Sequence, residues 1–370
     1  MEQRQDAATP PMFTPLALRG VTLPNRIGLS PMCMYSADDG HVNDFHLVHL
    51  GSRAVGGAGL VMAEMTAVSP EGRISLNDAG IWRDSHIAPW KRVVDFVHQG
   101  SDARIGLQLG HAGRKADTGV RWLRTTDRGQ QGAGGWEQLA PSAIPYSEQH
   151  LMPRAMTEAD IAGLIDSYVH AAKRARAAEF DLIELHFAHG YLLSSFISPL
   201  TNRRNDGWGG SLEGRMRLPR AVLAAVRAVW PEDKPIAARI SAVDWVEGGT
   251  TIEDAVEIAR MLKQDGLDIL DVSTGIVVDH GRPPKDGLGQ TPFSERIRRE
   301  TGIPTMTVGN VQSSADMNAI IADGRADICM MGRGYLFDPY FVRHAARAQD
   351  HALAWPGTYA SAATITPPAP

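Results

Sequence analysis

At residues 184–200 the chain reads ELHFAHGYLLSSFISPL, which sets His186 and His189 three apart and Tyr191 two further on, directly after a short apolar run. Three chemistries suit such a pair. A zinc or iron site would use the imidazoles as ligands and needs a carboxylate or a third histidine; Glu184 alternates with His186 along the strand and shares its side. A purely structural role would cap loop carbonyls. A donor pair would aim two imidazole N–H groups at one electronegative substrate atom, with the Tyr191 hydroxyl as proton source or further donor. Periodicity alone does not choose among them.

The elements that must hold these residues are legible as a repeat. Short apolar runs occur at 26–32, 60–66, 104–110, 181–187, 235–241, 268–274, 304–310 and 327–333. Between and after them lie helix-period segments such as IAGLIDSYVHAAKRARAAE and TIEDAVEIARMLKQDG, the second with Thr251 as N-cap and Asp254 in its first turn. Near-continuous apolar strands alternating with amphipathic helices signal parallel strands buried on both faces. Eight such units predict an α/β chain closed into a single (β/α)8 TIM barrel. Two longer excursions, at 112–153 and 274–290, are expected on the face that carries the loops after the strands.

In that architecture reactive groups come from the C-terminal ends of strands. The polar and reactive residues fall there: Pro31, Met32, Cys33 and Tyr35 after the first strand, Met65 in the second, Gln108, His111, Arg114 and Lys115 around the third. Arg239 lies in the fifth. The seventh and eighth strands end in VGN and MGR, so that Gly309 with Asn310 and Gly332 with Arg333 offer backbone amides and a guanidinium to an anion. The pattern points to a phosphate-bearing ligand. No GxGxxG follows a strand and no GxxxxGK[ST] occurs, which disfavours dinucleotide and nucleoside-triphosphate folds and leaves a mononucleotide-like cofactor.

Composition narrows the class. The 370 residues carry a formal net charge of -5 with Lys and Arg dispersed, which gives no electrostatic footprint for nucleic acid or an anionic membrane. A small-molecule partner follows. Only Cys33 and Cys329 are present, so one chain holds neither a four-cysteine zinc site nor an iron–sulfur cluster. Redox chemistry would need an organic cofactor. The opening MEQRQDAATPP has no apolar core and no uninterrupted apolar run approaches a membrane span, so a cytoplasmic location is expected.

The motifs SPMCMYSADDG, QLGHAGRKA, ELHFAHGYLLSSFISPLTNRRNDGWGGSLEGR and ARISAVDWVEGG, with VGN and GRADICMMGR, resemble the Old Yellow Enzyme family of FMN-dependent ene-reductases in its thermophilic-like branch, across residues 12–348. The resemblance implies non-covalent FMN, reduction by NAD(P)H, and hydride transfer from flavin N5 to an activated alkene. It implies that His186 and His189 hydrogen-bond the substrate oxygen and bind no metal, that Tyr191 is the proton donor, and that Tyr35 is a further donor. Cys33 would lie beside the flavin. Pro31, Met32 and Met65 would line the ring, Gln108 would bond its pyrimidine edge, and Arg239 would stand near N1, where reduction places negative charge. Gly309, Asn310, Gly332 and Arg333 would hold the phosphate.

Further stretches, among them GGAGLVMAEMTAVSPEGRI and QTPFSERIRRETGIPTMTVGNVQ, are similar to the reductase domain of bifunctional aromatic acyl-CoA monooxygenases, which opens an acyl-CoA thioester as an alternative substrate. A flavin-free metal-dependent hydrolase or aldolase using HxxH is the alternative of another class. The chain departs from the family at Met65, where many relatives have a small residue, and at Trp208, where tyrosine is common. Members of the branch insert a C-terminal arginine into a neighbour's site, but no arginine follows Arg347, which leaves Trp355 or Tyr359 for that role. The expected organisation is a disordered N-terminus at 1–11, an FMN-binding barrel at 12–350 and a flexible tail at 351–370, assembled as a homodimer or homotetramer.

Overall fold

In the computed structural model, which describes residues 8–118, 134–284 and 287–365, each of the eight apolar runs forms a strand. These are β1 (Ile27–Leu29), β2 (Leu60–Ala67), β3 (Arg104–Gly110), β4 (Leu182–Phe187), β5 (Ile236–Ser241), β6 (Ile269–Ser273), β7 (Thr305–Thr307) and β8 (Ile328–Met331). They pair in parallel and in sequence order, with β8 on β1 closing the barrel. The helices that follow them are α1 (Asp44–Val55), α2 (Ile87–Gly100), α3 (Glu158–Ala177), α4 (Leu212–Arg227), α5 (Ile252–Gln264), α6 (Thr291–Thr301), α7 (Ser314–Ala322) and α8 (Phe341–Ala348). The (β/α)8 barrel expected from the repeat is the fold. Among the described residues no helix is long and apolar enough to cross a membrane.

Alternation along the strands builds two cores. Ile183, Leu185 and Phe187 of β4, and Ile236, Ala238 and Ile240 of β5, point outward into the layer shared with the helices. Leu182, Ala237, Ile269, Met306 and Ile328 point inward and form an apolar plug at the N-terminal end of the barrel. Residues 16–23, given no element by their pattern, form an antiparallel hairpin whose Leu18 and Leu23 close that plug from below. Capping boxes at Asn43, Thr157 and Thr251 fix where α1, α3 and α5 begin, the last as its Thr and Asp spacing predicts.

Residues 1–7 lie outside the described residues, and Pro11–Phe13 form a 3-10 turn with Met12 and Phe13 buried. Within 351–365, Trp355 stacks on the Arg343 guanidinium at 4.0 Å, and Gly357–Thr364 form a 3-10 helix. Residues 366–370 lie outside the described residues, as do 119–133 of the first excursion and 285–286 of the second.

Candidate active site

Inward-facing residues change character along three adjacent strands. Above the plug, two residues on from Leu182, Ala237 and Ile269, come Glu184, Arg239 and Asp271; two further on come His186, Ser241 and Ser273. The barrel therefore carries a charged layer under a layer of hydrogen-bonding groups. Gln108 Nε2 on β3 donates to Glu184 Oε1 at 2.7 Å. Arg239 Nη1 donates to Ser30 Oγ at 3.4 Å, and its Nε stands 3.2 Å from Asp271 Oδ2.

The two imidazoles sit at the C-terminal end of β4 with ring centroids 5.2 Å apart and planes at 88°. The Ala188 N–H donates to His186 Nδ1 at 3.2 Å, which places the His186 proton on Nε2. His189 Nε2 lies 2.7 Å from Ser273 Oγ; when the serine hydroxyl donates, the His189 proton sits on Nδ1. Burial, then the Arg239 charge, holds both imidazoles well below their ordinary pKa. They are neutral N–H donors. His189 occupies the left-handed region at φ 63°, held by its N–H donating to Ser241 Oγ at 2.9 Å. Gly190 follows at φ 73°, and a Cβ there would meet Val277 O at 2.6 Å, so only glycine fits.

Cys33, Tyr35 and Tyr191 pack against a cluster that includes the buried Met65. The Met65 backbone and the Tyr35 side chain hydrogen-bond the Cys33 sulfur, while burial drives its pKa well up, so it is a thiol. Burial likewise raises Tyr35 and Tyr191, which keep their protons. The Tyr191 ring meets the His186 ring edge to face at 4.9 Å.

Together these residues line a cavity of about 440 Å³, within the range of cofactor sites. Ten of the residues proposed from sequence border it: Pro31, Met32, Cys33, Tyr35, Met65, Gln108, His186, His189, Tyr191 and Arg239. Leu336 and Met34 complete the lining. The other four do not line it. Gly309 and Asn310 follow β7 with φ of 98° and 56°, and Asn310 Nδ2 donates to Gly287 O at 2.9 Å; Gly332 and the exposed Arg333 follow the neighbouring β8. Among the described residues no group of three or more His, Cys, Asp and Glu could hold a metal ion.

The family model described as NADH:flavin oxidoreductase / NADH oxidase matches residues 11–351. The chain belongs to the Old Yellow Enzyme family. An NADPH dehydrogenase of Geobacillus sp. (strain WCH70) is 44% identical over 338 residues, covering 91% of this chain and 94% of that protein. Morphinone reductase superposes with a TM-score of 0.77 at 30% identity, covering 94% of this chain and 92% of its own. A 2-naphthoyl-CoA reductase gives a TM-score of 0.82 at 23% identity over 92% of this chain, which spans only 52% of that one; the likeness is of fold. The chain is thus an NAD(P)H-dependent flavin oxidoreductase.

Further residues shape this Old Yellow Enzyme site. Ser241, Asp271 and Ser273 are not among the residues expected from the motifs, and Asp271 and Ser273 alternate inside an apolar run just as Glu184 and His186 do. A β-bulge between Ala63 and Met65 turns Met65 into the cavity and Glu64 toward α1, where His46 Nε2 lies 3.2 Å from Glu64 Oε1. Glu64 Oε2 also accepts from the Met34 N–H at 3.0 Å, which fixes the segment bearing Cys33 and Tyr35. Lys115 Nζ donates to His189 O at 2.8 Å and lies over the rings of Tyr146 and Tyr191 at 4.4 and 4.8 Å. Burial, with the Arg114 charge, draws the Lys115 pKa down to about 7. Trp355 packs on Arg343 of its own chain, and Trp208 takes an Arg217 guanidinium at 4.3 Å.

Proposed function

We propose that this oxidoreductase is an ene-reductase that binds FMN non-covalently in the cavity and, after reduction by NADPH or NADH, reduces the C=C bond of an enone, maleimide or nitroalkene. Nitro and nitrate-ester compounds are acceptors of the same kind. The observation that carries the reading is the pair of neutral imidazoles above a guanidinium, the buried His186 with its tautomer set by the Ala188 N–H and the half-buried His189 held against Ser273 Oγ.

The residues fit FMN. Arg239 Nε is buried without a regular hydrogen-bond partner, and Gln108, Met65 and the Pro31–Met32 segment border the same space. In this reading Arg239 meets the ring edge that gains charge, Gln108 meets the pyrimidine edge, and Gly309, Asn310, Gly332 and Arg333 take the phosphate. FMN held by these residues would supply the hydride that reduces the alkene. His186 Nε2–H and His189 Nδ1–H hold the carbonyl or nitro oxygen, where negative charge develops as hydride arrives. Tyr191, kept protonated by burial, gives its proton to the α-carbon, and Tyr35 is a second donor on that side. Cys33 presents a neutral sulfur. Reductant and alkene use one cavity in turn, which makes the kinetics ping-pong. A homodimer or homotetramer acting in the cytoplasm completes the proposal.

The test is anaerobic. NADPH should bleach the visible flavin bands of the purified protein, and 2-cyclohexenone should restore them with one cyclohexanone formed per flavin. Protein that binds no FMN, or reduced flavin that the enone leaves unoxidised, overturns the reading.

A further inference from the structure

Beneath the imidazoles two carboxyls face one guanidinium. Glu184 and Asp271 are fully buried on the inward faces of β4 and β6, close enough for each to act on the other's charge. The groups around them are Gln108 from β3, which donates to Glu184 Oε1 at 2.7 Å, Arg239 from β5 with its Nε 3.2 Å from Asp271 Oδ2, and the neutral His186 above Glu184 on β4. Glu184 Oε2 and both oxygens of Asp271 have no regular hydrogen-bond donor among the described residues. Two carboxylates in contact repel, and a buried site with one cation leaves the second negative charge unbalanced. A proton between them supplies the absent donor and leaves one negative charge opposite one positive.

We infer that Glu184 and Asp271 hold a single proton between them, and that this proton is coupled to the oxidation state of the flavin. The second clause rests on the FMN reading above; the first does not. Burial and the neighbouring Asp271 push Glu184 up to about 8, so the shared proton is in place at neutral pH. When it leaves, the layer beneath the ring becomes net negative. Reduction of the ring adds negative charge to the same region and raises the proton affinity of the pair. Above the pKa of the oxidised form, two-electron reduction therefore takes one proton from solvent onto the pair, in addition to the hydrogen acquired by the ring.

Two measurements test this. On flavin-free protein near neutral pH, the infrared spectrum should contain a protonated-carboxyl C=O band that Glu184→Gln removes; its absence from the wild type overturns the shared proton. On the FMN-loaded protein, the midpoint potential is followed by dye equilibration between about pH 6 and 10. The wild-type slope should steepen above about pH 8 by one proton per two electrons, tenfold in the equilibrium per pH unit or ~30 mV. Glu184→Gln, which cannot ionise, should keep one slope and lie above the wild type at high pH. A wild-type slope without a break, or a break that survives in Glu184→Gln, overturns the coupling. Failure to take up FMN would count against the function proposed above, while the infrared result would still decide the shared proton.

Discussion

Replacing His186 by alanine removes one of two donors from the site and leaves its frame in place. The lost Nε2–H is buried, uncharged and oriented by the Ala188 N–H at 3.2 Å, so none of its strength is dissipated in water or in reorientation. A pre-aimed donor to a developing oxyanion is worth about 2.7–4 kcal/mol, a factor of ~10²–10³ in rate. The oxidative half-reaction with cyclohexenone, followed by stopped flow after anaerobic reduction, should fall by that factor while bound flavin is retained. Its pH profile is informative too. Both imidazoles are held well below 6.5 in the folded protein, so the wild-type rate should show no protonation step near 6.5 from these groups. His186→Asn, which restores an N–H, should recover to within about tenfold of the wild type. A His186→Ala rate within about threefold of the wild type, or a wild-type step at 6.5, would refute a neutral donor pair.

Ser273→Ala takes away the hydroxyl 2.7 Å from His189 Nε2 and with it the control of that tautomer. The loss of one hydrogen bond, ~1 kcal/mol, should slow enone reduction several-fold with flavin content unchanged, as measured by the same half-reaction. Glu64→Ala leaves the part-buried Met34 N–H without its acceptor and removes the carboxylate 3.2 Å from His46 Nε2, which should cost about 1–3 kcal/mol in urea unfolding. It should also raise the KM for the alkene by releasing the Cys33–Tyr35 segment. His49, on the buried side of α1, has its pKa lowered to about 4 by burial and then by Arg53. Because the folded value lies below the unfolded one, the unfolded chain binds the extra proton and stability is lost as pH falls through about 6.5. Between pH 7 and 5 the wild type should therefore lose roughly 2 kcal/mol more than His49→Gln, as urea titrations at the two pH values would show.

What the sequence reveals here follows from what each feature depends on. The barrel strands are legible because burial on both faces makes them apolar throughout, and the polar exceptions inside them, Glu184, His186 and Arg239, stand out against that background. The same logic extends to Asp271 and Ser273, which share the inward face of β6. The bulge at Ala63–Met65 leaves no mark on residue types, so the redirection of Glu64 toward His46 was not readable. The loop clamp was equally hidden. Lys115 and Arg114 grip main-chain oxygens of His189, Ile276, Val277, Ile144 and Pro145, and a carbonyl looks the same whatever side chain it carries. The glycines after β7 and β8 announce turns, but their backbone orientation toward an anion depends on a fold that pattern alone does not specify.

The most direct test of the central claim titrates the oxidised, FMN-loaded protein with an electron-rich phenol such as 4-hydroxybenzaldehyde. A phenolate oxygen held by His186 and His189 over the flavin should produce a long-wavelength charge-transfer band. The double variant His186→Ala, His189→Ala should stay yellow and give no such band at the same phenol concentrations. A band of equal strength in the double variant would contradict the account, and so would a wild-type protein that binds FMN and phenol yet shows none.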